Sequence, residues 1–161
     1  MKTEHIASKN ATFQKFEVLK TNRNKRYKHG EFFVEGVRNI NNAVLNGWEI
    51  ISFLYDETRE LSSWAKEKLG TVHTKVNYAL TPALIAELSG KEDTSELLAI
   101  IKMREDNVDS LPLSKVPFLA LFDRPSNHGN LGTILRSCDA LGVDGLILTG
   151  HAVDLYDPNV V

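Results

Sequence analysis

The sequence predicts an α/β protein: a small α/β domain over residues 1–103, a linker at 104–115, and the start of a parallel-sheet domain at 116–161. Three observations carry that prediction. Before residue 103, strand-length apolar runs alternate four times with helical patterns of 3.6-residue period. The stretch REDNVDSLPLSK at 104–115 then turns acidic and proline-bearing, as interdomain linkers do. Beyond it come an apolar run at 118–122, a polar loop, an amphipathic helix pattern and a second apolar run at 145–149. A strand, crossover helix and parallel strand fit in a stretch of about 35 residues, which makes this a βαβ unit.

With 161 residues, 42% hydrophobic and 25% charged, the composition is that of an ordinary soluble globular protein. No apolar run approaches the length of a membrane span, so no membrane partner is expected. The start, MKTEHIASKNATF, lacks the apolar core of a signal peptide, and a cytoplasmic location follows as the expectation. The single cysteine, Cys138, cannot form an intramolecular disulfide and reads as a core residue of its helix. Net charge is −2, but it is unevenly spread. The first thirty residues carry eight basic and two acidic side chains, a balance of +6, and the remainder carries eleven against nineteen, a balance of −8. A basic arm on an acidic body is a phosphate-binding footprint.

Taken in order, residues 9–22 read as a helix with Phe13, Phe16 and Leu19 or Lys20 on one side. The basic run at 21–30 reads as a turn, or as a sugar–phosphate contact surface through Arg23, Lys25, Arg26 and Lys28, with Tyr27 or His29 free to stack on a base. Residues 31–35 form a short strand. A helix at 36–46 follows, with Val37, Ile40, Val44 and Leu45 apolar, stopped by Gly47. Residues 49–55 are a second strand and 58–69 a second helix, ended by Gly70. The β-branched stretch 71–76 reads as a third strand. Thr81 and Pro82 then start a helix that carries Leu84, Ile85 and Leu88 to Gly90. The apolar run at 96–103 is a fourth strand, rich enough in Leu and Ile to be central. Trp48 and Trp64 read as core or half-core residues.

In the last part, the apolar runs at 118–122 and 145–149 read as buried strands. The helix between them turns Leu131, Ile134, Leu135, Cys138 and Leu141 inward. Gly132, Arg136 and Asp139 share a different face. On spacing alone Arg136 is either an exposed partner of Asp139 or a site residue, and Asn130 is either an N-cap or a site residue. In open α/β sheets ligands gather where strands end and helices begin, and the polar loop 123–132 falls there.

The string Asn130-Leu131-Gly132-Thr133-Ile134-Leu135-Arg136, followed by Ala140-Leu141-Gly142-Val143, resembles the first motif of the SpoU/TrmH family of RNA ribose methyltransferases. Asp123-Arg124-Pro125 before it and Leu146-Ile147-Leu148 after it also fit. Earlier in the chain, Ile6, Ser8 and Asn10, then Arg23 and Arg26, then Phe32-Phe33-Val34-Glu35-Gly36 resemble that family's substrate-binding domain, itself similar to a small RNA-binding ribosomal protein. The resemblance implies a knotted SPOUT-type catalytic domain that transfers a methyl group from S-adenosylmethionine to a ribose 2′-hydroxyl of rRNA or tRNA. It needs no metal, because the sulfonium is already a good methyl donor. It implies Arg136 as the catalytic residue, Asn130 holding it, and Gly132 letting backbone approach the ligand. It also implies a homodimer.

The family's two later S-adenosylmethionine motifs are not in these 161 residues, and the stretch 154–161 looks like the approach to the second. The expectation is therefore a fragment that binds structured RNA and is inactive alone. Arginine is almost never a base, since guanidinium stays protonated in proteins, so Arg136 is expected to bind phosphate and stabilise the developing alkoxide. The competing readings are a non-catalytic RNA-binding module and an unrelated α/β enzyme of small molecules.

Overall fold

Apolar segments of the first hundred residues pair into one mixed five-stranded sheet. In chain order the elements are β1 (Thr3–Ile6), α1 (Ala11–Thr21), α2 (Arg23–His29), β2 (Glu31–Glu35), α3 (Val37–Leu45), β3 (Ile50–Asp56), α4 (Ser63–Thr71), β4 (Asn77–Leu80), α5 (Pro82–Leu88) and β5 (Leu98–Lys102). The structure, a computed structural model, describes residues 2–161 and divides into two units, Met1–Met103 and Arg104–Val161. Among the described residues no helix is long and apolar enough to cross a membrane.

The first sheet has the order β1-β4-β3-β5-β2. β1 and β3 pair parallel to β4, and β5 pairs antiparallel to both β3 and β2. β5 is internal, as its composition requires: Leu98, Ala99, Ile100 and Ile101 are all buried. One face of the sheet takes Phe13, Phe16 and Leu19 of α1 and Leu84, Ile85 and Leu88 of α5 against Phe33, Leu54, Leu80, Leu98 and Ile100. Burying each of these side chains is worth roughly 1.5–3 kcal/mol. On the other face Phe32 meets Trp48 edge-on at 5.6 Å, and Trp64 Nε1 donates to Asn41 Oδ1 at 2.9 Å, joining α4 to α3.

Several expected elements move. The stretch 71–76 is not a strand; the pairing passes to β4, where the buried Asn77 side chain accepts from Phe53 N at 2.9 Å and from Thr74 Oγ1 at 3.0 Å. α4 starts at Ser63 rather than Thr58, because Thr58 is held in a turn by Asp56 and Ser62 supplies the cap. Gly70 lies inside that helix. α3 buries Ile40 and Ala43, while Val37 and Leu45 are exposed, so its inward face is rotated from the expected one. β1 has no counterpart in the sequence reading, since an edge strand with only Ile6 buried carries little apolar signal.

The basic run at 21–30 is also a helix. Asn22 caps α2 by accepting from Lys25 N at 3.1 Å, and Arg26 is its buried residue. Arg26 is 1% exposed, and its Nη1 donates to Leu19 O at 3.0 Å and Lys20 O at 3.1 Å. Those carbonyls belong to the last turn of α1, which lacks partners of its own. Arg26 thus ties α2 to α1 from the inside, and the expected RNA contact by this residue is corrected: a guanidinium without solvent access cannot reach a phosphate.

Arg26→Ala should destabilise the protein by on the order of 3 kcal/mol, since it removes two charge-assisted bonds and leaves buried carbonyls unmet. Urea titration checks this, and a loss below about 1 kcal/mol would contradict the assignment.

The second unit is a two-stranded parallel sheet, β6 (Leu119–Asp123) and β7 (Gly145–Thr149), connected by α6 (His128–Ala140). A 3-10 turn at Val108–Ser110 precedes it. The 104–115 stretch is folded onto this unit: Tyr156 Oη donates to Arg104 O at 3.2 Å, and Ser114 Oγ donates to Asp144 at 2.9 Å. The strands expected to be buried are not. Phe118 is 53%, Leu119 42% and Leu121 67% exposed, and β7 is half-buried throughout. One helix over a pair of strands leaves the other sheet face uncovered.

Candidate functional site

The site builds up from the N-terminal turns of α6. Its cap is Asn127, whose Oδ1 accepts from Asn130 N at 2.9 Å, so Asn130 sits inside the first turn with its side chain exposed. Leu131 is fully buried and anchors the helix. The rest of the expected inward face is looser, with Ile134 and Leu141 exposed and Cys138 half-buried.

Arg136 is exposed, and its guanidinium reaches back toward the helix start. Its Nη2 donates to Thr133 Oγ1 at 3.3 Å, and Thr133 Oγ1 donates to Gly129 O at 2.8 Å. A β-carbon placed on Gly132 would lie 3.2 Å from Arg136 Nη1 and 3.1 Å from Val160 O. Side chains on a helix lean over the turn before their own Cα, so the guanidinium lies over Gly132 and toward the turn that carries Asn130. The close approach at Gly132 is filled by the chain itself. Val160 is buried, and Val160 N donates to Asp157 O at 2.8 Å, which closes the last turn against the helix.

At the carboxyl ends of the strands the polar groups hold one another. Asp123 Oδ1 accepts from Thr149 Oγ1 at 2.7 Å, and Oδ2 accepts from Arg124 Nε at 2.9 Å. The bond from Thr149, and then the one from Arg124, keep the Asp123 carboxyl below its usual range.

The second candidate surface is α2. Arg23, Lys25 and Lys28 are exposed, and Arg23 lies over the Tyr27 ring, 5.7 Å from its centroid, with Tyr27 49% exposed. His29 is exposed as well. Three cations and an accessible aromatic on seven residues can follow a phosphate backbone and stack on a base.

The loop 89–95, of which 91–95 reads in the sequence as a polar loop, is organised by one carboxylate. Glu35 accepts from Ser89 Oγ and, at 2.8 Å, from Gly90 N. Burial pushes the Glu35 carboxyl up, but the bonds from Ser89, Gly90 and Ser95 and the nearby Lys91 outweigh it and bring it below its usual value. Lys20 Nζ also reaches this loop, donating to Ser89 O at 3.2 Å.

Residues 10–99 match the SpoU L30e-like domain, and residues 117–161 match the SpoU rRNA Methylase family. The chain belongs to the SpoU family. A Streptomyces viridochromogenes protein, 23S rRNA (uridine(2479)-2'-O)-methyltransferase, is 48% identical over 157 residues, which cover 97% of this chain and 54% of that protein. The crystal structure of the SpoU methyltransferase AviRb from the same organism, in complex with AdoMet, superposes with a TM-score of 0.88 at 48% identity, covering 94% of this chain and 57% of that one. Bacillus subtilis 23S rRNA (guanosine(2553)-2'-O)-methyltransferase RlmP is 25% identical over 153 residues, covering 94% of this chain and 56% of that protein. The chain therefore spans about half the length of these SpoU relatives.

Gly132→Ala balances two effects. The substitution gains about 1 kcal/mol of helix propensity, and its methyl group crowds Val160 O and Arg136 by a few tenths of an ångström. The thermal midpoint should move by no more than about 4 °C, while the NMR signal of Arg136 Nε shifts as the guanidinium is displaced. An unmoved Arg136 signal would show that the side chain does not rest on position 132.

Proposed function

We propose that this chain carries the RNA-recognition domain and the opening of the catalytic domain of an S-adenosylmethionine-dependent rRNA 2′-O-methyltransferase. The complete protein is proposed to be cytoplasmic and homodimeric. The observation that supports this most directly is Arg136: an exposed guanidinium folded over Gly132 at the start of a crossover helix between parallel strands.

The described residues do not by themselves make a holder for S-adenosylmethionine. Asp123, Arg124 and Thr149 bond to one another, and the space at Gly132 is taken by Val160 and Arg136. The methyl donor is thus assigned to the complete protein. What this chain's residues do is bind and orient RNA. Arg136 offers donors in a planar fork that matches a phosphate and stabilises negative charge developing on the ribose oxygen. A guanidinium is a poor base, so proton removal falls to another group or to water. Arg23, Lys25 and Lys28, with Tyr27, hold the RNA from α2.

Filter binding of this 161-residue chain to 23S rRNA should show affinity that falls steeply with salt. Arg23→Ala, Lys25→Ala and Lys28→Ala should each lower affinity several-fold and reduce the salt slope by roughly 0.7–0.9. With tritiated methyl donor the same chain should incorporate no label, and robust incorporation would refute the assignment of the donor site. In a complete protein, Arg136→Ala should abolish methylation while lowering RNA affinity no more than several-fold, as loss of one phosphate contact does; near-normal turnover would remove Arg136 from the mechanism.

A further inference from the structure

Arg124 follows β6 directly, and it is the one non-glycine residue with positive φ among the described residues, at 48°. An L side chain is strained there, and glycine or asparagine would be the easier choice. The strain is not repaid by burial, because the side chain is 71% exposed. Nor is it repaid by its ion pair with Asp123, since exposed neighbouring pairs stabilise little. Such outliers mark places where a side chain is held for a purpose.

The surroundings hold it closely. Arg124 Nε and Nη2 both reach Asp123 Oδ2, at 2.9 and 2.8 Å, and Arg124 N donates to Thr149 O at 2.9 Å. Its stem crosses Gly150, where a β-carbon would fall 2.3 Å from Arg124 Cγ and 3.0 Å from Cδ. Any other residue at position 150 would evict the arginine. A guanidinium has five N–H donors, and Asp123 uses only one edge. The remaining edge stands at the carboxyl ends of two parallel strands, where α/β sheets receive their ligands.

We infer that Arg124 is a phosphate-binding residue for RNA, oriented by Asp123 and seated on Gly150 at the carboxyl end of the β6–β7 pair. The inference rests on the reading of this chain as RNA-binding. It assigns the free fork to a phosphodiester, whose paired oxygens match it.

The test compares the 161-residue chain with its Arg124→Gly and Arg124→Lys variants, by thermal melting and by filter binding to 23S rRNA over a range of salt. Glycine relieves the backbone, so the Arg124→Gly midpoint should equal or exceed that of the parent. Its affinity should fall about three- to tenfold, and its salt slope should drop by roughly 0.7–0.9. Arg124→Lys should recover the slope but not the full affinity, since lysine keeps the charge and loses the fork. Wild-type affinity and slope in Arg124→Gly would overturn the inference alone. So would a lower midpoint with an unchanged slope, which marks a folding role. Failure of the parent chain to bind rRNA would overturn the RNA-binding reading and this inference together.

Discussion

A parallel pair of strands has no tight turn to hold its ends together, and in the second unit two carboxylates take that part. At the amino ends Asp144 accepts from Phe118 N at 2.7 Å and from Ser114 Oγ at 2.9 Å. These bonds, Phe118 first, hold its carboxyl below the usual aspartate range. At the carboxyl ends Asp123 joins Thr149 and Arg124. Between these clamps the strands run in register from Leu119 beside Gly145 to Asp123 beside Thr149. Parallel pairing obliges the chain to cross over, and the crossover is α6. The helix must therefore begin beside the carboxyl ends of the strands, which is what brings Asn130, Gly132 and Arg136 there. The position of the candidate site follows from strand pairing, and the side chains fill in its chemistry.

How legible this was in the sequence depended on whether apolar residues reported the structure. Phe13, Phe16 and Leu19 at helical spacing gave α1, and the run at 31–35 gave β2 with its bounds. The strand–helix–strand order of the second unit was equally plain, and so was the outward turn of Arg136. α2 was not, because its inward residue is an arginine and no periodicity scale counts a buried guanidinium as core. The stretch 71–76 misled through its β-branched residues, while the pairing was decided by the side chain of Asn77. The runs at 118–122 and 145–149 read as buried because they are apolar throughout, but two strands under one helix leave them partly exposed. The left-handed backbone at Arg124 was invisible for a different reason: it is announced by glycine or asparagine, and here it is occupied by neither.

The family was readable through a resemblance at Asn130, Gly132 and Arg136, whose spacing alone left their roles open. An asparagine, a glycine and an arginine at intervals of two and four, set after a strand, define a helix start with one polar edge. That pattern survives in the structure with one adjustment, since Asn127 rather than Asn130 caps the helix. In the proposed function each unit contributes cations. α2 offers positive charge and an aromatic ring, and the second unit offers a fixed guanidinium on each side of the β6–α6 loop, Arg124 before it and Arg136 within the helix.

The most direct test of this account is a map of ribose 2′-O-methyl groups in ribosomal RNA, measured by mass spectrometry in cells with and without the intact gene. The account predicts that one ribose loses its methyl group when the gene is removed and regains it when the gene is restored. An identical map in both cells would contradict it.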